Sequence, residues 1–159
     1  MPCQIFNGNE IDCRDGVGGI KEIYIAEFNN VSSYTETSGV CSVISMVSGK
    51  KFYTFQLEKE NAELIETETS SVENGTIFWQ QDVTFTMKKL SAAKRNALKV
   101  LAQVRTVQII KLNDDTLWIV GRHSGMDKVG TNTAKSGKAF GDMNGYELAF
   151  MGKEPQPMY

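Results

Sequence analysis

The chain has 159 residues, 41% hydrophobic and 23% charged, with a net charge of −2 and a pI near 5.5, which suits one globular domain large enough to bury its own core. That charge excludes a general basic field for holding nucleic acid, and no run of about 18 apolar residues offers a membrane span. The opening Met1-Pro2-Cys3-Gln4-Ile5-Phe6 has neither a basic nor an apolar leader region, so no signal peptide is expected.

Residues 1–19 are polar and glycine-rich, ending Asp15-Gly16-Val17-Gly18-Gly19, and read as an arm leading into the first strand. Ile20 to Phe28 is rich in β-branched and aromatic residues and predicts that strand. Asn29-Asn30 and the Ser/Thr cluster at 32–38 predict a turn and loop. A second strand is expected over Val40–Val47, turned at Ser48-Gly49-Lys50 into a third over Lys51–Leu57. Residues 58–73 hold six glutamates against the single Lys59; Glu66-Thr67-Glu68-Thr69 alternates like a solvated strand, while Glu60–Ile65 also suits a helical turn. Asn74-Gly75 is a strong hairpin signal. Thr76–Met87 then alternates, with Ile77, Trp79, Val83, Phe85 and Met87 on one parity and a bend or bulge expected near Gln80-Gln81.

Ser91 predicts an N-cap for an amphipathic helix of about 14 residues, its stripe formed by Leu90, Lys94, Ala97, Leu98, Leu101 and Val104. Thr106–Leu112 and Leu117–Val120 predict a hairpin across Asn113-Asp114-Asp115. Residues 121–139, with four glycines, read as a long mobile loop, Tyr146–Met151 as the closing strand, and Pro155 and Pro157 as marking an extended tail. About eight strands not separated by helices exclude a parallel sheet. The expected fold is mainly β (α+β): two packed antiparallel sheets, a sandwich or a barrel, with one flanking helix. The arm is 1–19, the β domain 20–152 and the tail 153–159.

Chemistry is sparse. Cys3, Cys13 and Cys41 lack the close spacing of a zinc site and read as reduced thiols. His123, the only histidine, has no Ser or Cys elbow beside it. Asp142-Met143-Asn144-Gly145 echoes the start of a calcium loop but lacks its closing glutamate, and reads as a turn. Gly16, Gly18 and Gly19 are not framed by strand and helix as a dinucleotide loop requires. Trp79 and Trp118 are expected in the core. No catalytic residue, metal or cofactor is expected, and the glutamates read as a solvated acidic face, or as a channel lining that repels phosphate if the protein forms a ring.

The leading Cys13-Arg14-Asp15, Gly18-Gly19-Ile20-Lys21-Glu22-Ile23-Tyr24, the central Glu73-Asn74-Gly75-Thr76, the helix, and the closing Gly141-Asp142, Asn144-Gly145-Tyr146 resemble a tail structural protein of phages infecting Bacteroidetes, akin to the tail tube proteins of tailed phages and contractile injection systems. The resemblance covers residues 13–157 and rests on structural motifs. It implies a tail-tube fold, assembly with itself into rings, usually hexamers, and a virion location after synthesis in the bacterial host cytoplasm. Partners would be further copies, other tail or neck proteins, and DNA passing through the lumen without sequence-specific binding; no membrane is involved. Under that reading the contacts between subunits and rings involve Ile5, Phe6, Cys13, Arg14, Asp15, Gly18, Gly19, Arg122 and His123, and Glu63, Glu66 and Glu68 are lumen candidates. A neck or tail-hub adaptor ring is the alternative, and a monomeric ligand-binding β-barrel a more distant one.

Overall fold

The computed structural model describes Ile5 and residues 7–159; the expectations placed on Cys3 and Phe6 lie outside these. Eleven strands and one α-helix are present among the described residues: β1 (Ile20–Glu27), β2 (Val31–Thr37), β3 (Val40–Met46), β4 (Tyr53–Gln56), β5 (Ala62–Ser71), β6 (Thr76–Lys88), α1 (Ala92–Leu101), β7 (Thr106–Leu112), β8 (Leu117–Val120), β9 (Asp127–Lys128), β10 (Thr133–Lys135) and β11 (Gly145–Glu154). A 3-10 turn at Phe28–Asn30 follows β1.

All pairings are antiparallel. Sheet I runs β4-β1-β7-β8, and sheet II runs β10-β11-β6-β5, with β9 also paired to β11. β2 and β3 form a separate two-stranded ribbon. The architecture is therefore a mainly-β sandwich with one helix, and the barrel alternative is not realised because the sheets do not close on one another.

The core lies between the sheets. Sheet I contributes Ile20, Ile23, Ile25 and Ile110; sheet II contributes Val83, Phe85, Tyr146, Leu148 and Phe150; Leu98 enters from the helix. Period-2 alternation puts these residues on inner faces, and burying each large side chain stabilises the fold by about 1.5–3 kcal/mol. Phe85 stacks on Phe150 at 5.9 Å within sheet II and meets Phe55 of sheet I edge-on at 6.3 Å.

The helix begins where expected: Ser91 is extended (φ −152°), and its hydroxyl accepts from Lys94 N at 3.2 Å. It is shorter than expected, ten residues ending at Leu101. Of its stripe only Leu98 is fully buried, with Leu90 and Leu101 packed partly buried against the core. Tyr146 Oη donates to Ser91 O (3.2 Å), tying the helix to β11.

Four expectations are corrected. The Ser/Thr cluster at 32–38 forms β2, not a loop. Both faces of the ribbon are largely solvated, so β2 lacks the apolar alternation that marks a half-buried strand. Its turn is Ser38-Gly39, both at positive φ (54° and 79°), the geometry of a two-residue hairpin. Ser48-Gly49 turns the chain but makes no hairpin, because β3 pairs with β2 whereas β4 crosses to the edge of sheet I beside β1. Glu60–Ile65 is not a helical turn: Glu60 closes a tight turn at positive φ (62°) and β5 runs extended from Ala62. β6 keeps an unbroken register with both β5 and β11, so no bulge lies at Gln80-Gln81; register instead shifts in β1 between Ile20 and Glu22, and in the ribbon.

Residues 121–139 are not a free loop. Met126 exchanges backbone hydrogen bonds with Thr106 (2.7 and 2.9 Å), β9 and β10 pair with β11, and Asn132 Oδ1 accepts from Ala149 N (2.8 Å). The segment is anchored through backbone and amide groups and through the buried side chain of Met126, an isolated apolar residue that sets no hydropathy period.

Candidate functional site

The most densely connected polar cluster surrounds Arg122, on the bend that follows β8. Its side chain is only 7% exposed and is ion-paired with Glu36 of the ribbon. Nη2 donates to His123 Nε2 (2.7 Å) and to Gln156 Oε1 in the C-terminal tail (3.2 Å). The guanidinium lies 3.9 Å from the centre of the Tyr159 ring and 5.7 Å from that of Tyr34 on β2. Nearby, the buried Glu154 carboxylate accepts from His123 N (2.8 Å) and Ser124 N (3.0 Å). These bonds satisfy a charge that would otherwise be costly to bury. One arginine thus joins the ribbon, the bend after β8 and the tail.

A second polar link pins the tail. Gln81, buried on β6, donates from Nε2 to Glu66 Oε2 (2.9 Å) and accepts from Gly121 N (3.0 Å). Glu66 Oε2 also accepts from Met158 N (2.7 Å). Tyr159 and Ile119 exchange backbone hydrogen bonds (2.6 and 3.4 Å), so the last residue covers part of the outer edge of β8. The extended tail expected from its prolines is thus a strap against its own domain.

Of Arg122 and His123, expected at contacts between subunits or rings, Arg122 is engaged within its own chain and His123 is exposed beside it. Glu63, Glu66 and Glu68 do not share a face. Glu63 is opposite Thr84 on the outer face of sheet II, whereas Glu66 and Glu68 have the inner parity, and Glu66 holds the tail. Cys13, Arg14 and Asp15 are exposed in the arm, as is Ile5, and the arm is rooted where Asn113 donates to the carbonyls of Gly18 (2.7 Å) and Gly19 (3.1 Å). Trp118 packs against the core, while Trp79 is only half-buried at the far end of β6. Glu36, Tyr34, Glu154 and Tyr159 carry no local motif that would have marked them.

Among the described residues no cluster of three His, Cys, Asp or Glu side chains is placed to hold a metal ion, and no helix is long and apolar enough to cross a membrane. Asp142 Oδ2 accepts from Lys138 N and Ala139 N (2.9 and 2.8 Å), the turn geometry expected of it, and these bonds hold its carboxyl below the usual range.

Tyr34 gives a test of the cluster. Burial, opposed by the Arg122 charge, pushes its phenol up to about 12, and its hydroxyl has no hydrogen-bond partner among the described residues. The folded protein therefore holds this proton more tightly than the unfolded chain. The resulting stability is complete below pH 10 and lost as pH rises from 10 towards 12. Tyr34→Phe should keep the aromatic face over Arg122, raise stability at neutral pH by up to about 1 kcal/mol by removing an unpaired buried hydroxyl, and flatten the alkaline loss. Urea midpoints measured across pH 7–12 check both effects.

Comparison of the chain with protein-family models, curated proteins and solved structures found no match. Fold and cluster together define a mainly-β sandwich that carries a freestanding ribbon.

Proposed function

We propose that this chain is a virion structural protein that assembles with itself into rings, stacked as a phage tail tube that encloses a channel for genome passage. The observation that carries the reading is the β2–β3 ribbon. Among the described residues it pairs with no other strand, and it leaves most of both faces in water, including Val40 and Val43. An isolated two-stranded ribbon is marginal in water. Arg122 anchors this one at one face, which leaves its remaining surface for a neighbour. β4 and β5 are further open edges, β5 ten residues long. Closure around a ring satisfies such edges. The outer face of sheet II mixes Glu63, Asp82 and Glu147 with Lys88, Lys135 and Lys153 among threonines, Lys135 pairing with Glu147 at 3.0 Å, and such a charge-balanced surface offers DNA no basic field to stick to.

The test is light scattering with negative-stain imaging across a concentration series. Rings or tubes with a central hole are expected. Single rings that never stack would favour the adaptor reading, and a monomer at every concentration would overturn self-assembly. A second measurement addresses the channel face. Tubes of Glu63→Lys should retain duplex DNA in a salt-dependent manner, whereas Glu66→Lys should free the tail, because Glu66 accepts from Met158 N. Equal DNA retention by Glu63→Lys and wild-type tubes would place this face elsewhere.

A further inference from the structure

We propose that the arm, residues 5–19, docks into an apolar groove between α1 and the β1–β4 edge of a second copy of this chain. The inference rests on the ring-stacking reading above and names the surface that would join one copy to the next.

The groove holds about 460 Å³ and is lined by Ile25, Tyr53, Phe55, Ala97, Val100 and Leu101, among others. One wall is helix and the other includes β4, which among the described residues pairs only with β1 and so offers a free strand edge to an extended peptide. Val100 is 57% exposed and Tyr53 62%, so the lining is open to solvent.

The arm has complementary chemistry. Residues 7–19 are all exposed, and Ile5, Ile11 and Val17 stand 97%, 102% and 58% exposed among glycines and polar residues. Burying such side chains is the main gain available to the segment. It carries Glu10, Asp12 and Asp15 against Arg14, while the groove rim carries Lys50 and Lys51 against Glu27. The opposed charges would orient the arm as it docks.

Geometry favours a second copy over the arm's own groove. The root of the arm is at the start of β1, where Asn113 on the β7–β8 turn holds Gly18 and Gly19. The groove lies at the other end of β1, around Ile25–Glu27. Ile20 and Ala26 are six residues apart, about 20 Å of strand, so an arm serving its own groove has to reverse and run back along the domain. An arm leaving at one end and a groove waiting at the other make a head-to-tail contact, which propagates from copy to copy rather than closing in a pair.

The test uses full-length chains. Ile11→Ser damages the arm, Val100→Glu damages the groove, and both residues are exposed enough to leave the fold intact. A labelled synthetic peptide of residues 5–19 should bind the Ile11→Ser protein by fluorescence anisotropy, with affinity at least tenfold weaker once Val100→Glu is added. Light scattering should show that neither single variant stacks, and that a mixture forms one junction and stops, since only one arm–groove pairing survives. Peptide affinity indifferent to Val100→Glu overturns the proposal, as does a monomer whose own arm blocks the peptide. Tubes unaffected by either substitution would sink the groove contact and leave the ring reading standing. Groove-dependent peptide binding without any ring formation would sink the ring reading and leave the groove contact.

Discussion

Arg122→Ala is expected to destabilise the protein by about 2–4 kcal/mol, a fall of roughly 10 °C in Tm for a chain of this size. Removing one member of a fully buried ion pair costs about 3–5 kcal/mol. The lower figure applies because Glu36 keeps 34% of its side chain in water and can be resolvated once the arginine is gone. Against that discount stand the lost stacking on Tyr159 and the lost hydrogen bond to Gln156. Arg122→Lys should not rescue, since an ammonium cannot pair with Glu36, reach His123 and Gln156, and lie flat on an aromatic ring together. Limited proteolysis supplies a readout that global stability does not: cleavage should rise selectively in the ribbon and in residues 155–159, the two segments this side chain holds. A uniform rise across the chain, or a Tm shift below about 2 °C, would show that the ribbon and tail are held by other contacts.

The same cluster shows where a sequence stops being legible. β6 and β11 announce themselves: Val83 and Phe85 alternate with polar residues, Asn74-Gly75 turns the chain between β5 and β6, and Ser91 caps the helix. These are local signals, set by side-chain period and by backbone positions with positive φ. Of the ribbon, β3 is legible over Val40–Met46, whereas β2 hides because a strand with water on both sides has no reason to alternate. Residues 121–139 hide because backbone bridges, an asparagine side chain and a single core residue, Met126, hold them, with no apolar period to mark the segment. The glutamates of β5 read as one acidic surface, but the two-residue period sends Glu63 to one face and Glu66 to the other, where Gln81 and Met158 N occupy it. In the sequence Arg122 reads as part of a long mobile loop and a candidate contact between subunits or rings. Its buried role depends on Glu36, Tyr34 and Tyr159, which come together only once the ribbon and the tail have folded back.

Gly145→Ala is expected to cost about 3–5 kcal/mol, although it adds a single methyl group at a strand end. A Cβ at this position would press into the Met87 carbonyl oxygen and stand 2.9 Å from Lys88 Cα, both backbone atoms of β6. No rotamer change relieves a clash with backbone, so β11 has to move away from β6. Overpacking of that kind costs about 1–3 kcal/mol. The displacement also strains the latch beside it, where Asn144 O accepts from Lys89 N (2.5 Å), Asn144 Oδ1 accepts from Leu90 N (3.1 Å) and Tyr146 Oη reaches Ser91 O (3.2 Å). Each weakened bond adds about 0.5–1.5 kcal/mol. Those bonds position the helix, so the effect should extend to the groove: the variant should bind the arm peptide less tightly even where it remains folded. Gly141→Ala is the control, because a Cβ there meets nothing within 4 Å and its φ lies outside the positive region; its stability should stay within about 0.5 kcal/mol of wild type. Equal denaturation midpoints for the two variants would show that β11 does not approach β6 this closely at Gly145.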